Sequence, residues 1–157
     1  MRMKKWLSLA LLVVVLDQLT KALANHFLSY AEPLAVFPSF NLTLLYNRGA
    51  AFSFLNDASG WQRWFFVAIS TAATVLLVFW LKRLKPGQVL LSVALALVLG
   101  GAVGNLVDRL CFGYVVDFIE VYYREYYWPA FNIADSAISV GAVLLIWDSL
   151  FTHKATD

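Results

Sequence analysis

Four apolar stretches, each long enough to cross a bilayer, constrain this chain more than any other feature. A transmembrane helix needs about 20 predominantly apolar residues. Stretches at about Trp6–Ala24, Trp64–Leu81, Val89–Val107 and Ile133–Phe151 approach that length. Each would rise about 27–29 Å at 1.5 Å per residue. Inside hydrocarbon the backbone polar groups must pair within the chain, which favours helices for such runs. Composition agrees, because only 14% of the 157 residues are charged, against roughly 25% in soluble domains. The expected fold class is an all-α membrane protein with four transmembrane helices, in a single domain covering residues 1–157.

The first stretch has a second reading. Arg2, Lys4 and Lys5 precede the apolar run Leu7–Leu16, and Ala22-Leu-Ala24 resembles a signal-peptidase site. Asp17 and Lys21 lie between that run and the small residues, which opposes cleavage. Three further spans favour a retained helix.

Basic residues set the expected orientation. Arg2, Lys4 and Lys5 flank the first span, Lys82, Arg83 and Lys85 fill the loop between the second and third, and Lys154 follows the fourth. The two long loops, residues 25–63 and 108–132, hold only two arginines each. Both termini are therefore expected in the cytoplasm and both long loops outside. Trp61, Trp64, Tyr122, Tyr123, Tyr126, Tyr127 and Trp128 fit an outer interfacial belt.

That orientation gathers the polar intramembrane residues at one depth. Asp17 and Lys21 fall in the outer half of the first span. Asn105, Asp108 and Arg109 fall at the outer end of the third, and Asn132 and Asp135 at the outer end of the fourth. Ionisable groups at membrane depth are costly and point to function.

The outer loops carry strand signals. Phe40–Tyr46 alternates at first, and Tyr114–Tyr122 is rich in Val, Ile and Tyr. The two are expected to pair into a small extracytoplasmic β-sheet, accompanied by a short surface helix or loop. An extended substrate can add to such a sheet through its backbone. The Tyr/Trp cluster at 122–128 fits a segment resting on the membrane.

Each candidate residue also has a plain structural reading. Asn132 is placed to cap the fourth helix, with Asp135 at the third helical position, where acids are favoured. Asp117 sits among Val115, Val116, Phe118 and Ile119, and an ion pair with Arg109 or Arg124 would account for it. Asp108 and Arg109 read as an end-of-helix ion pair. Asp17 and Lys21, spaced i and i+4, read as an internal neutralising pair. Gly100-x-x-x-Gly104 permits close helix approach. Asp148 lies near the inner end of the fourth span and reads as interfacial. Cys111, the lone cysteine, excludes an internal disulfide and reads as a small apolar filler. His26 and His153, at opposite ends, do not supply a zinc set. A net charge of +2 is too small to indicate a nucleic-acid partner.

Taken in order, the polar residues form a pattern: Asp17-x-x-x-Lys21, Asn47-Arg-Gly-Ala-Ala-Phe52, Gly104-Asn-Leu-Val-Asp-Arg109, Val115-Val-Asp-Phe118 and Phe131-Asn-Ile-Ala-Asp135. Five motifs in this order, with four spans, resemble the bacterial lipoprotein signal peptidases, or type II signal peptidases. The resemblance covers nearly the whole chain.

It implies a membrane aspartic endopeptidase of the bacterial cytoplasmic (inner) membrane. Such an enzyme removes signal peptides from diacylglyceryl prolipoproteins, cutting just before the lipidated cysteine. The implied catalytic pair is Asp117 and Asp135. The implied supporting residues are Asp17, Lys21, Asn47, Gly49, Asn105, Asp108, Arg109, Asn132 and Ala134. No metal or cofactor is implied. The implied partners are prolipoprotein substrates, membrane lipid and the cyclic peptide inhibitor globomycin. Residue chemistry adds weaker expectations: Arg109 anchoring a polar loop that carries the pair, and Asn47 and Asn105 orienting backbone or substrate amides. The main alternative is a small polytopic transporter or proton-relay subunit, which would spread its polar residues along a path through the membrane.

Overall fold

The computed structural model describes residues 2–49 and 60–151. The Ala50-Ala51-Phe52 end of the second motif, together with His153 and Lys154, lies outside the described residues. Eight elements follow in order: α1 (Arg2–Phe27), β1 (Leu34–Phe37), β2 (Phe40–Asn47), α2 (Trp61–Arg83), α3 (Val89–Cys111), β3 (Val115–Tyr123), β4 (Tyr126–Tyr127) and α4 (Ile133–Phe151).

All four helices are long and apolar enough to span a membrane. α4 matches the apolar stretch end for end. The other three run past theirs, because polar residues at a bilayer surface continue a helix as readily as apolar ones. The polar α1 positions Asn25 and His26, for example, still lie within the helix.

α3 is the central helix, packing against α1, α2 and α4. Its buried positions are mostly small: Ser92, Ala94, Ala96, Gly100, Gly101 and Gly104. A Cβ on Gly100 would meet the Ala10 carbonyl and the Val13 side chain of α1, each at 2.7 Å. A Cβ on Gly101 would collide with the Ala134 carbonyl of α4. Small residues thus let three backbones approach, as the G-x-x-x-G spacing predicts. α2 is peripheral and buries only Gln62 and Leu81. Its exposed Phe65, Ile69, Leu76 and Phe79 suit lipid contact.

The loops build an antiparallel four-stranded sheet in the order β1-β2-β3-β4. The expected pairing of the two strand-like segments is present as β2 against β3, with Leu42 opposite Ile119 and Leu45 opposite Asp117. A bulge between Leu42 and Leu45 breaks the register. Leu44, in the bulge, is buried beside Ala24, Val116 and Phe118. That cluster fastens the sheet to the end of α1. The 122–128 aromatic segment is a hairpin, β3 turning at Arg124 into β4, and it exposes Tyr123, Tyr126, Tyr127 and Trp128.

Candidate active site

The α1, α3 and α4 polar residues meet at one end of the bundle, around Lys21. Lys21 Nζ bonds to Asp17 Oδ2 at 2.8 Å, Asp108 Oδ2 at 2.9 Å and Asn105 Oδ1 at 2.9 Å. An ammonium has three donors, and all three are used. Lys21, Asp17 and Asp108 are almost wholly buried, so each charge depends on the others.

Asp17 does more than pair with Lys21. Its Oδ1 accepts the Ala134 backbone N–H at 2.9 Å, one of the donors that the first turn of a helix leaves free. Its negative charge is also favoured by the positive, N-terminal end of the α4 macrodipole. Ala134 suits this place because its small side chain fits against Gly104 while its backbone carbonyl packs on Gly101.

Asp108 differs from its expected role. An ion pair with Arg109 is not formed, because neighbours on a helix do not face each other. Asp108 points instead at Lys21 and Gln18 Nε2, the latter at 2.7 Å. Its Oδ2 also accepts the Val116 N–H at 3.0 Å, pinning the start of β3 to α3.

Asn132 caps α4 as its spacing predicts. Its Oδ1 accepts the Asp135 N–H at 2.9 Å. The same amide donates from Nδ2 to Asp117 Oδ1 at 2.8 Å. Asn105 works in parallel. Its Oδ1 faces the donor-only Lys21, so its Nδ2 donates to Asp135 Oδ1 at 2.7 Å. Both amides are therefore fixed in orientation by neighbours that can only donate.

Asn47 orients a backbone amide, as expected, and Asn47 and Asn105 each also hold one of the two carboxyl groups. Asn47 Nδ2 lies 3.2 Å from Asp117 Oδ2. Its Oδ1 accepts the Gly49 N–H at 3.0 Å, an Asx-type turn. Arg109 then holds the Gly49 carbonyl at 3.1 Å, with its guanidinium over the Phe66 ring. Arg109 anchors a loop, as expected, but the loop after β2 and not one carrying either acid. The expected pairing of Asp117 with Arg109 or Arg124 gives way to the Asn47 and Asn132 amides. Arg124 lies over the Tyr123 ring instead.

Asp117 is 3% exposed. Burial, and next the charge of Asp135, push it from the usual carboxylate range up to about 7. Hydrogen bonds from Asn47 and Asn132 and the charge of Lys21 oppose that rise without cancelling it. One proton is thus held near neutral pH beside a second acid.

Two contributors were not apparent from sequence. Gln18 joins α1 to Asp108 and to the Gly104 carbonyl. Arg63 of α2 donates to the Arg109 and Leu110 carbonyls at 2.9 and 2.7 Å, closing the C-terminal end of α3 next to Arg109. Their i-to-distant partners left no local spacing to read. Among the described residues, no group of three or more His, Cys, Asp and Glu side chains is placed to hold a metal ion.

Fold and site define a multi-pass membrane protein with a buried polar network converging on two acids at one end of its helices. Comparison with known proteins gives this class a family. The family model for Signal peptidase (SPase) II matches residues 9–151. The lipoprotein signal peptidase of Acinetobacter baumannii is 56% identical over 149 residues, covering 95% of this chain and 85% of that protein. The lipoprotein signal peptidase of Pseudomonas aeruginosa is 55% identical over 154 residues, covering 97% and 91%. A solved bacterial membrane enzyme superposes with a TM-score of 0.87 at 32% identity, over 98% of this chain and 92% of its own. The chain belongs to the signal peptidase II family, and is a peptidase.

Proposed function

We propose that this chain is an aspartic endopeptidase that removes signal peptides from diacylglyceryl-modified prolipoproteins, cutting just before the lipidated cysteine. Asp117 and Asp135 are its catalytic pair. The observation that carries this reading is the shared Asn132 amide, which caps the helix of one acid and donates to the carboxyl of the other. Two acids that resist double ionisation share one proton at working pH.

Asp117 holds the resting proton, and Asp135 acts as base. Asp135 takes a proton from a water as that water attacks the scissile carbonyl. Asp117 donates its proton to the carbonyl oxygen, giving a tetrahedral intermediate. Proton return to the leaving amine then breaks the C–N bond. Lys21, Asp17, Asp108, Asn105, Asn132, Asn47, Gly49, Arg109 and Ala134 hold the pair in place. NMR detection of the resting proton on Asp135 would reverse the assignment of acid and base.

The enzyme sits in the bacterial inner membrane with both termini cytoplasmic and the site near the outer face. The loop asymmetry in Lys and Arg supports this orientation. The substrate enters from the bilayer with its own apolar helix and lipid. Globomycin is expected to block the site. A transporter or proton relay is not favoured, because the polar groups gather at one end and do not line a path.

The test uses purified protein, a diacylated prolipoprotein peptide and an unlipidated control. Cleavage of the diacylated peptide is expected to disappear in both Asp117→Asn and Asp135→Asn. Undiminished cleavage in both variants would reject the catalytic pair. Cleavage of only the unlipidated peptide would leave a peptidase of another specificity.

A further inference from the structure

At the end of the bundle away from the two acids, a cavity of about 310 Å³ opens between α1, α2 and α3. Buried Trp6, Leu81 and Ser92 form its inner part, and Leu84 adds an apolar wall. Exposed Lys82 and Lys85 line it as well. The space is far larger than one water, whose share of liquid volume is about 30 Å³. Trp6 lies 11 residues before Asp17 in α1, so the cavity is about 17 Å from the network along that helix.

The α1 start and the α2–α3 linker, which supply most of the lining, carry charge of one sign. Residues 2–6 and 81–88 contain Arg2, Lys4, Lys5, Lys82, Arg83 and Lys85 and no acidic residue. The Lys5 ammonium lies 5.1 Å from the centre of the Trp6 ring. Asp148, toward the same end, lies on α4, whereas the lining comes from α1, α2, α3 and the α2–α3 linker. The Ser92 hydroxyl donates to the Gln88 carbonyl at 2.6 Å, which leaves its oxygen able to accept. Exposed Phe79, Trp80 and Val89 continue the apolar surface on α2 and α3.

A paired cationic lining with an apolar interior, at the level where helices leave the bilayer, matches a ligand with an anionic head and acyl tails. A soluble anion would use the lysines and leave the Trp6, Leu81 and Leu84 surface unused. Basic pockets between membrane helices are known to take anionic lipid heads. We infer that this cavity binds the phosphate headgroup of an anionic phospholipid, with Lys82 and Lys85 on the phosphate and Trp6, Leu81 and Leu84 against the glycerol and upper acyl region. The site is separate from the peptidase centre and does not depend on its assignment.

Native mass spectrometry of the full chain in neutral detergent tests the inference. The probes are dioleoylphosphatidylglycerol, dioleoylphosphatidylcholine and glycerol 3-phosphate. One phosphatidylglycerol is expected to stay bound, with phosphatidylcholine at least about tenfold weaker and glycerol 3-phosphate weaker still. The double variant Lys82→Gln/Lys85→Gln is expected to weaken phosphatidylglycerol about 30-fold, from roughly 1 kcal/mol per basic residue. Lys82→Arg/Lys85→Arg should retain binding. Leu84→Trp fills the cavity without changing charge and should also weaken it. Equal retention of the two lipids would overturn the inference. So would undiminished phosphatidylglycerol binding in both the Gln variant and Leu84→Trp, or glycerol 3-phosphate binding as tightly as the lipid.

Discussion

Asn132 holds Asp117 with the same side chain that caps the helix of Asp135. Its Nδ2 lies 2.8 Å from Asp117 Oδ1, and its Oδ1 lies 2.9 Å from the Asp135 nitrogen. A sheet strand and a helix terminus are thus set relative to each other by one amide. Its two functions are separable by chemistry, because capping needs an oxygen and the Asp117 contact needs a nitrogen donor in that position.

Asn132→Ser keeps a capping oxygen and loses the reach to Asp117. Caps of Ser and Asn are nearly equivalent, so the thermal midpoint should fall by only a few degrees. Peptide cleavage should fall about 10- to 100-fold, the scale of a misplaced catalytic group. Parallel melting and cleavage assays check this, and equal losses in both would tie Asn132 to folding alone.

Lys21→Met should be the most damaging single change at the site. It strands Asp17 and Asp108 in a buried place, and removing one partner of a buried ion pair costs about 3–5 kcal/mol. A fall in thermal midpoint of roughly 10 °C is expected, at about 2–4 °C per kcal/mol for a chain of this size. Adding Asp108→Asn to Lys21→Met removes one stranded charge and should restore part of the loss. A double-mutant cycle measured by melting decides whether the two residues couple.

Acid–base behaviour should follow Asp117. Its folded value of about 7 lies above the ordinary 3.8. The folded chain therefore binds a proton that the unfolded chain has released between about pH 4 and 7, and this stabilisation is lost as pH rises through 7. Asp117→Asn removes the titration. Its stability advantage should be largest above pH 7 and fade toward pH 4, with a ceiling of about 4 kcal/mol at 1.36 kcal/mol per unit. Melting at pH 5 and pH 8 checks the sign. The parent enzyme should also lose activity on the alkaline side with a midpoint near 7, as its shared proton leaves.

Gly104→Ala should disturb the network from behind. The new methyl would sit 2.7 Å from Asp17 Oδ2 and 3.3 Å from Ala134 Cβ. Overpacking of this kind costs about 1–3 kcal/mol. Both stability and cleavage should fall, because Asp17 supports Lys21 and the Ala134 N–H together. Gly87 has open space around it but a φ of 96°, so Gly87→Ala should lower stability through backbone strain alone and leave cleavage by the folded protein unchanged.

Local spacing made part of this site legible. The i, i+4 interval between Asp17 and Lys21 announced their pair, and the three-residue step from Asn132 to Asp135 announced the cap. Hydropathy placed α4 to the residue, alternation found β2, and richness in Val, Ile and Tyr found β3. Asp108 was misread because its adjacent residue in sequence, Arg109, points elsewhere on the helix, while its true partner Lys21 belongs to another span. The carboxyl contacts of Asn47 and Asn105 escaped for a similar reason: an amide reads as donor or acceptor only once its neighbours are known. β1 and β4 are short strands, four and two residues long, and carry too few positions for a period to show. The trio in which buried Asn41 and Thr43 donate to Oε2 of half-buried Glu120 joins two strands and has no signature within either.

The one-turn separation of Asp17 and Lys21 has a consequence for how the protein is made. α1 leaves the ribosome long before α3, so it meets the bilayer without Asn105 or Asp108. A lone lysine or aspartate at that depth would resist insertion, but two opposite charges a helical turn apart can neutralise each other within α1. Lys21 thus has a partner during membrane entry and gains two more acceptors when α3 docks. The order of synthesis is written into which of its three bonds is local.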